Sequence, residues 1–280
     1  MALFGLFKSK NPSGEMSFWS HIDALRGHLF RSVVVVLAIA CVLLFFSDFL
    51  YDQIIFAPLH DNFLTYRAFC KLSHKLDLGD QLCFGHYTFK LQSLGLSDQF
   101  TSLMWVAFLG GLIIGSPYVL WEIWRFIKPA LKEKEIRAST SFIISTTFLF
   151  ICGVLFSYFI IVPMTVNFLG NFKVSSMVEN NFTMDSYIST LTTLTIASGL
   201  VFELPVLVYF LSLFGLMSPQ FMRKYRKHAF VIILIVAAVI TPSPDATSQL
   251  LVAFPLYFLY EASIFVSHYA IKKKLATSNM

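Results

Sequence analysis

Few residues of this chain are placed to do chemistry, and they fall into three groups. The first is a single acid, Glu203, set in the run from Ile188 to Phe214, which is otherwise long and apolar enough to cross a bilayer. A carboxylate at that depth costs about 2.5–3.5 kcal/mol on insertion scales, so it is a functional-site candidate by default. It could serve as a proton site, or hydrogen-bond another polar group inside the membrane. The second group is Trp121, Glu122, Trp124, Arg125 and Phe126 followed by Lys128-Pro129-Ala130-Leu131-Lys132-Glu133-Lys134-Glu135, a mixed-charge cluster beneath an aromatic girdle. On composition alone, a solvated basic loop with interfacial anchors accounts for it. The third is Cys70 and Cys83, which share one long loop and would pair in an oxidising compartment. Cys41 and Cys152 lie in apolar segments and read as packing residues.

Other chemistries lack their residues. There is no HExxH, no GxSxG and no glycine-rich phosphate loop. No Cys/His spacing suggests a metal site, so neither metal nor cofactor is expected. His21 and His28 read as interfacial rather than ligating. Inside the apolar segments the ionisable groups are essentially Glu203, with Glu261 near the end of the last one. A proton carrier usually needs a relay of such groups, and no inverted repeat with paired broken helices is visible. An intramembrane enzyme would need a nucleophile–base pair that is not there, so no enzyme is expected.

The elements that must position these residues are membrane spans. The chain is 56% hydrophobic and 13% charged, with a mean hydropathy of +0.70, against about 25% charged residues in soluble domains. The expected class is all-α: a polytopic membrane protein with six transmembrane helices. Its spans run over Arg31–Phe49, Phe100–Trp121, Ser141–Pro163, Ile188–Phe214, Ala229–Ile240 and Thr247–His268. The fifth reaches only about 18 Å as a helix, short of the roughly 30 Å of hydrocarbon, so helices 5 and 6 are expected to be short in a locally thinned bilayer. Met1–Glu15 lacks the apolar core of a signal peptide, so the first span is expected to be retained. Before it, Phe18, Ile22, Leu25 and Leu29 share one helical face, with Ser17 placed as N-cap.

Of the 21 basic residues, only Arg67, Lys71, Lys75, Lys90 and Lys173 fall on the side opposite the N-terminus. The positive-inside rule therefore puts both termini in the cytoplasm. The net charge of +5 is mostly this topology signal, and no nucleic-acid partner is expected. A tail over 1–16 precedes a single transmembrane domain over 17–268, with an outer loop about 50–99 and inner loops about 122–140 and 215–228. A basic cytoplasmic tail over 269–280 follows. Within the outer loop, Tyr51 to Phe63 reads as a short helix pair interrupted by Pro58.

Ser20-His21-Ile22-Asp23-Ala24-Leu25-Arg26 resembles the N-terminal helix motif of the TatC family, the multi-span subunit of the twin-arginine translocase. Phe56-Ala57-Pro58-Leu59 looks like its outer-loop motif, and Trp124 to Leu131 followed by Glu135 looks like its first cytoplasmic loop. Phe202-Glu203-Leu204-Pro205-Val206 matches its span 4, and Thr241-Pro242 to Asp245 with Ser248-Gln249 matches its last outer turn. The matches keep family order over about residues 17–268. The resemblance implies a bacterial inner-membrane receptor and scaffold that binds twin-arginine signal peptides. With TatA- and TatB-type single-span partners, in a multi-copy complex among membrane lipid, it would export folded proteins using the proton-motive force.

By the same resemblance, Glu135 is the loop glutamate that receives the arginines, a sound bidentate partner for guanidinium. Phe126 and Arg26 match positions of the same site. The chain departs from the family at Ala24, where a second arginine-binding glutamate is usual. Either Asp23 substitutes from about 100° around the helix, or Glu135 and a neighbour such as Glu133 carry the site. Asp245 reads either as the N-cap of the last span or as a contact for a partner helix. Glu203 becomes a docking point for a partner's polar group. The alternative is a proton-coupled small-solute transporter using Glu203.

Overall fold

A chain in hydrocarbon has no water to satisfy its backbone, and the helix, pairing each N–H with a carbonyl four residues back, satisfies it internally. The computed structural model describes residues 18–75, 77, 79, 83, 91–128, 139–173, 175, 181–241 and 246–278, and these are almost all helical. The first helix, α1 (Phe18–Leu44), joins the amphipathic stretch and the first apolar segment into one rod. A π-helical turn (Leu50–Ile55) and a 3-10 turn (Ala57–Leu59) lead to α2 (Leu64–Lys75). After β1 (Leu91–Gln92) come α3 (Asp98–Ile127) and α4 (Ser139–Phe156). A π-helical turn at Ser157–Ile161 carries α4 into α5 (Val162–Asn171). Then follow β2 (Phe182–Thr183), α6 (Met184–Phe202), α7 (Leu204–Leu213), α8 (Pro219–Lys224), α9 (Arg226–Ile240) and α10 (Ala246–Ser278).

Among the described residues, four rods are long and apolar enough to cross a membrane: Ile22–Leu44, Asp98–Ile127, Ile143–Asn171 and Met184–Leu213. They coincide with the first four expected spans, and α3 runs on past Trp121 to Ile127. The fifth helix, α9, has 15 residues. The sixth, α10, has 33 residues and as a helix is not short, because its basic end continues the helical turn beyond the apolar stretch.

Close packing sets the bundle. α1 lies most extensively against α3, and a Cβ at Gly111 would stand 2.6 Å from the Val36 carbonyl oxygen. Only a residue without a side chain lets these two backbones meet, the usual device for helix association in lipid. α4 and α6 meet likewise at Gly153, where a Cβ would stand 2.8 Å from Phe202 Cβ. Ile161, Val162, Ile188, Leu194, Ala237 and Ala253 belong to the main core cluster.

The segment expected as a helix pair over Tyr51–Phe63 is instead the π and 3-10 turns. Pro58 has no N–H to continue a helix, and tyrosine and threonine hydroxyls capture carbonyls in and around these irregular turns. Tyr158 donates to the Ile54 carbonyl at 2.8 Å, Tyr187 to that of Ile55 at 2.7 Å and Tyr66 to that of Pro58 at 2.8 Å. Thr65 donates to the Phe159 carbonyl. The parallel pairing of Leu91 with Phe182 and Gln92 with Thr183 was not expected, since two residues per strand carry no period. Thr183 then caps α6, accepting from the Ser186 N–H at 3.2 Å.

Cys70 and Cys83 are joined by a disulfide with Cα atoms 4.3 Å apart, and His74 Nε2 lies 3.6 Å from Cys70 Sγ. With four cysteines in the chain and Cys41 and Cys152 free, alkylation of the denatured, unreduced protein should modify those two alone. Reduction should raise the count to all four, read by mass spectrometry.

Candidate functional site

The last turns of α3 meet the start of α1, and polar side chains collect there. Tyr118, Glu122 and Phe126 recur every four residues on α3 and so share a face, with Trp121 and Arg125 on the adjoining strip. Glu122 is the acid at the centre, 1% exposed. It pairs with His28 Nδ1 of α1 through Oε2 and accepts from the Tyr118 hydroxyl at 2.9 Å through Oε1. Arg125 Nη1 stands 3.8 Å from the same Oε1, with its guanidinium 4.8 Å from the centre of the Trp121 ring. The His28 ring meets Phe126 edge-on with centroids 6.4 Å apart, and Ser32 donates to the His28 carbonyl at 3.0 Å. Partners of this kind offset the cost of taking a carboxylate out of water. Beside it, Trp124 packs on Phe210 at 5.6 Å, joining α3 to α7.

Glu203 sits where the fourth rod breaks. Pro205, at the second position of α7, lacks an N–H, and its ring would clash with a carbonyl four residues back, so the helix interrupts at Glu203. The Glu203 N–H bonds to the Leu200 carbonyl at 3.1 Å, and its own carbonyl accepts from Val206 and Leu207, each at 3.0 Å. The backbone is thus satisfied, but the carboxylate is not. Both side-chain oxygens are buried without a hydrogen bond among the described residues, and the Phe150 backbone of α4 lies close to them. The hydroxyl of Thr147, one turn before Phe150 on α4, is likewise buried and unbonded. Glu203 precedes Phe210 by two turns of α7, about 10 Å, so it is displaced along the helix axis from the Glu122 cluster.

The residues expected from the sequence are therefore distributed. Phe126 lies in the cluster against His28. Asp23 and Arg26 are exposed on α1, and Ala24, half-buried, stands one turn from His28 on the same face. Glu133, Glu135 and Asp245 lie outside the described residues. Glu261 is bound by Arg226 at 2.7 Å and Tyr257 at 3.2 Å. Sequence reasoning missed the pairing of His28 with Glu122. Ending the second span at Trp121 assigned Glu122 to a loop, whereas the four-residue recurrence of Tyr118, Glu122 and Phe126 was the signal that the helix continues.

Helices of membrane length, with Glu122 partnered and Glu203 unpartnered within them, define a polytopic helical membrane protein. The chain matches the family described as Sec-independent protein translocase protein (TatC) over residues 20–255. It is 40% identical over 266 residues to TatC of Blattabacterium sp. subsp. Periplaneta americana (strain BPLAN), covering 95% of this chain and 100% of that one. It is 33% identical over 264 residues to TatCy of Bacillus subtilis (strain 168), covering 94% and 93%. A crystal structure described as Twin Arginine Translocase Receptor-TatC matches with a TM-score of 0.65 at 29% identity, covering 90% of this chain and 99% of that one. Another in DDM gives 0.68 over 88% and 99%, also at 29% identity. The chain belongs to the TatC family. It is a multi-pass membrane subunit of the Sec-independent translocase, working with other Tat subunits in protein transport, and is not an enzyme. The expected family and helical class are borne out, and the solute-transporter alternative is not favoured.

Replacing His28 by leucine should leave Glu122 buried without its α1 partner. That should cost about 1–3 kcal/mol of stability, read as a lower melting temperature in detergent, with His28→Gln recovering part of the loss.

Proposed function

We propose that this chain is the twin-arginine receptor of its translocase, with the end of the bundle that carries the Glu122 cluster facing the cytoplasm of a bacterial inner membrane. The observation that carries this reading is the likeness over 90% of the chain to a structure described as a twin-arginine translocase receptor. The local chemistry agrees with it. Glu135 completes the motif that begins at Trp124 in the sequence, and its carboxylate matches the planar fork of an arginine in a way it does not match a lysine. Phe126 supplies an apolar wall and Arg26 a cation that sets register. Either Asp23 stands in for the acid missing at Ala24, or Glu135 carries the site with a neighbour such as Glu133.

Glu203 is the docking point for a polar group of a partner's helix or of an inserted signal segment. Two buried oxygens without partners are what such a group would satisfy. TatA- and TatB-type single-span proteins are the partners, in a multi-copy complex, and Asp245 either caps the last helix or meets a partner there. Transport of folded proteins on the proton-motive force follows from this assembly and involves no catalysis by the chain itself.

A twin-arginine signal peptide should bind the detergent-solubilised protein better than its Lys-Lys counterpart, and Glu135→Ala should weaken the first by about tenfold. Wild-type affinity in Glu135→Ala would remove that residue from the site. Asp23→Ala should weaken binding as well, and undiminished binding by Asp23→Asn would count against Asp23 as the substitute acid. For Glu203, export of a folded reporter should survive Glu203→Gln, which keeps a hydrogen-bonding group, and be lost in Glu203→Leu.

A further inference from the structure

We propose that Glu122 and Trp121 form a second guanidinium subsite, occupied by the chain's own Arg125 until an arginine of the signal peptide displaces it. This rests on the receptor reading and adds to it an internal competitor for the ligand.

The arrangement around Glu122 is what a bound arginine requires, and an arginine is already there. A guanidinium is recognised by a carboxylate at its edge and an aromatic ring at its face. Arg125 has both, Glu122 Oε1 at 3.8 Å and the Trp121 ring at 4.8 Å. It has neither well, since a charge-assisted N–H···O bond spans about 2.7–2.9 Å. Its side chain is also 46% exposed, and exposed ion pairs contribute little.

The other two partners of the carboxylate are held more firmly. Tyr118 bonds Oε1 at 2.9 Å, and His28 bonds Oε2 from the neighbouring helix, braced by Phe126. A carboxylate accepts at about four lone-pair positions, so these two orient the group and leave acceptor capacity for one more donor. Of the three neighbours, Arg125 is the most exposed and the only one beyond hydrogen-bond range, so it is the one that can leave. Trp121, 38% exposed and packed on Tyr118 at 5.5 Å, would offer an incoming guanidinium the ring over which Arg125 now lies. Ala24 adds no bulk on the face of α1 that carries His28. Lysine could replace the charge of arginine here but neither the fork nor the stacking plane. Glu122 therefore adds to the discrimination that Glu135 provides.

The competitor role gives a sign that a structural ion pair does not. Binding of a twin-arginine signal peptide and of its Lys-Lys counterpart is measured on the full chain, as wild type, Arg125→Gln, Glu122→Gln and Glu135→Ala. The expected result is about threefold tighter twin-arginine binding in Arg125→Gln, the release of a weak exposed pair, and about tenfold weaker binding in Glu122→Gln. Arg125→Gln combined with Glu122→Gln should lose the gain. Unchanged or weaker binding in Arg125→Gln, together with the loss in Glu135→Ala, overturns the competitor and leaves the receptor reading standing. Equal binding of the two peptides by the wild type overturns both. Should Glu122→Gln fail to fold, Arg125→Gln decides, with Trp121→Leu expected to weaken binding and its wild-type affinity counting against the subsite.

Discussion

Hydrocarbon cannot form hydrogen bonds, and the structure is organised around that fact. Every backbone donor and acceptor at membrane depth needs a partner within the protein, so the apolar segments are helices and their interruptions are few. Where the helical pattern is irregular, at Leu50–Ile55 and Ala57–Leu59, hydroxyls of Tyr158, Tyr187 and Tyr66 arrive from packed neighbours to take the carbonyls of Ile54, Ile55 and Pro58. These tyrosines fasten the turns to the bundle for the same reason that they satisfy them. An unmet carbonyl there would cost as much as a lost hydrogen bond.

The same rule separates the two acids. Glu122 has three polar neighbours from two helices and is a closed arrangement with one loose member. Glu203 has a satisfied backbone and an unsatisfied carboxylate. A buried polar group without a partner is expensive, and that cost distinguishes Glu203 from Glu122. Glu203 lies about 10 Å along α7 from the contact of Trp124 with Phe210.

Small residues make both sites possible. Gly111 lets α1 approach α3 closely enough for a single imidazole from α1 to reach the α3 carboxylate. Gly153 brings α4 against Phe202, beside Glu203. A larger side chain at either position would force the helices apart.

Composition, charge asymmetry and apolar runs determined a polytopic helical protein and the approximate limits of its first four spans, because helix formation and burial in lipid depend on each segment's own residues. The motif order identified the family, and Glu203 was conspicuous because an acid within an apolar run is anomalous in one dimension. The end of α3 was not legible in that way. Glu122 sits in a charged stretch that composition assigns to a loop, and only the packing of α1 against α3 turns it into a buried acid with a histidine from 94 residues away. The π-helical turns, the parallel pair at Leu91–Gln92 and Phe182–Thr183, and the loose seat of Arg125 were likewise decided by tertiary structure. Each depends on which surfaces meet, and contact between distant segments leaves no period in the sequence.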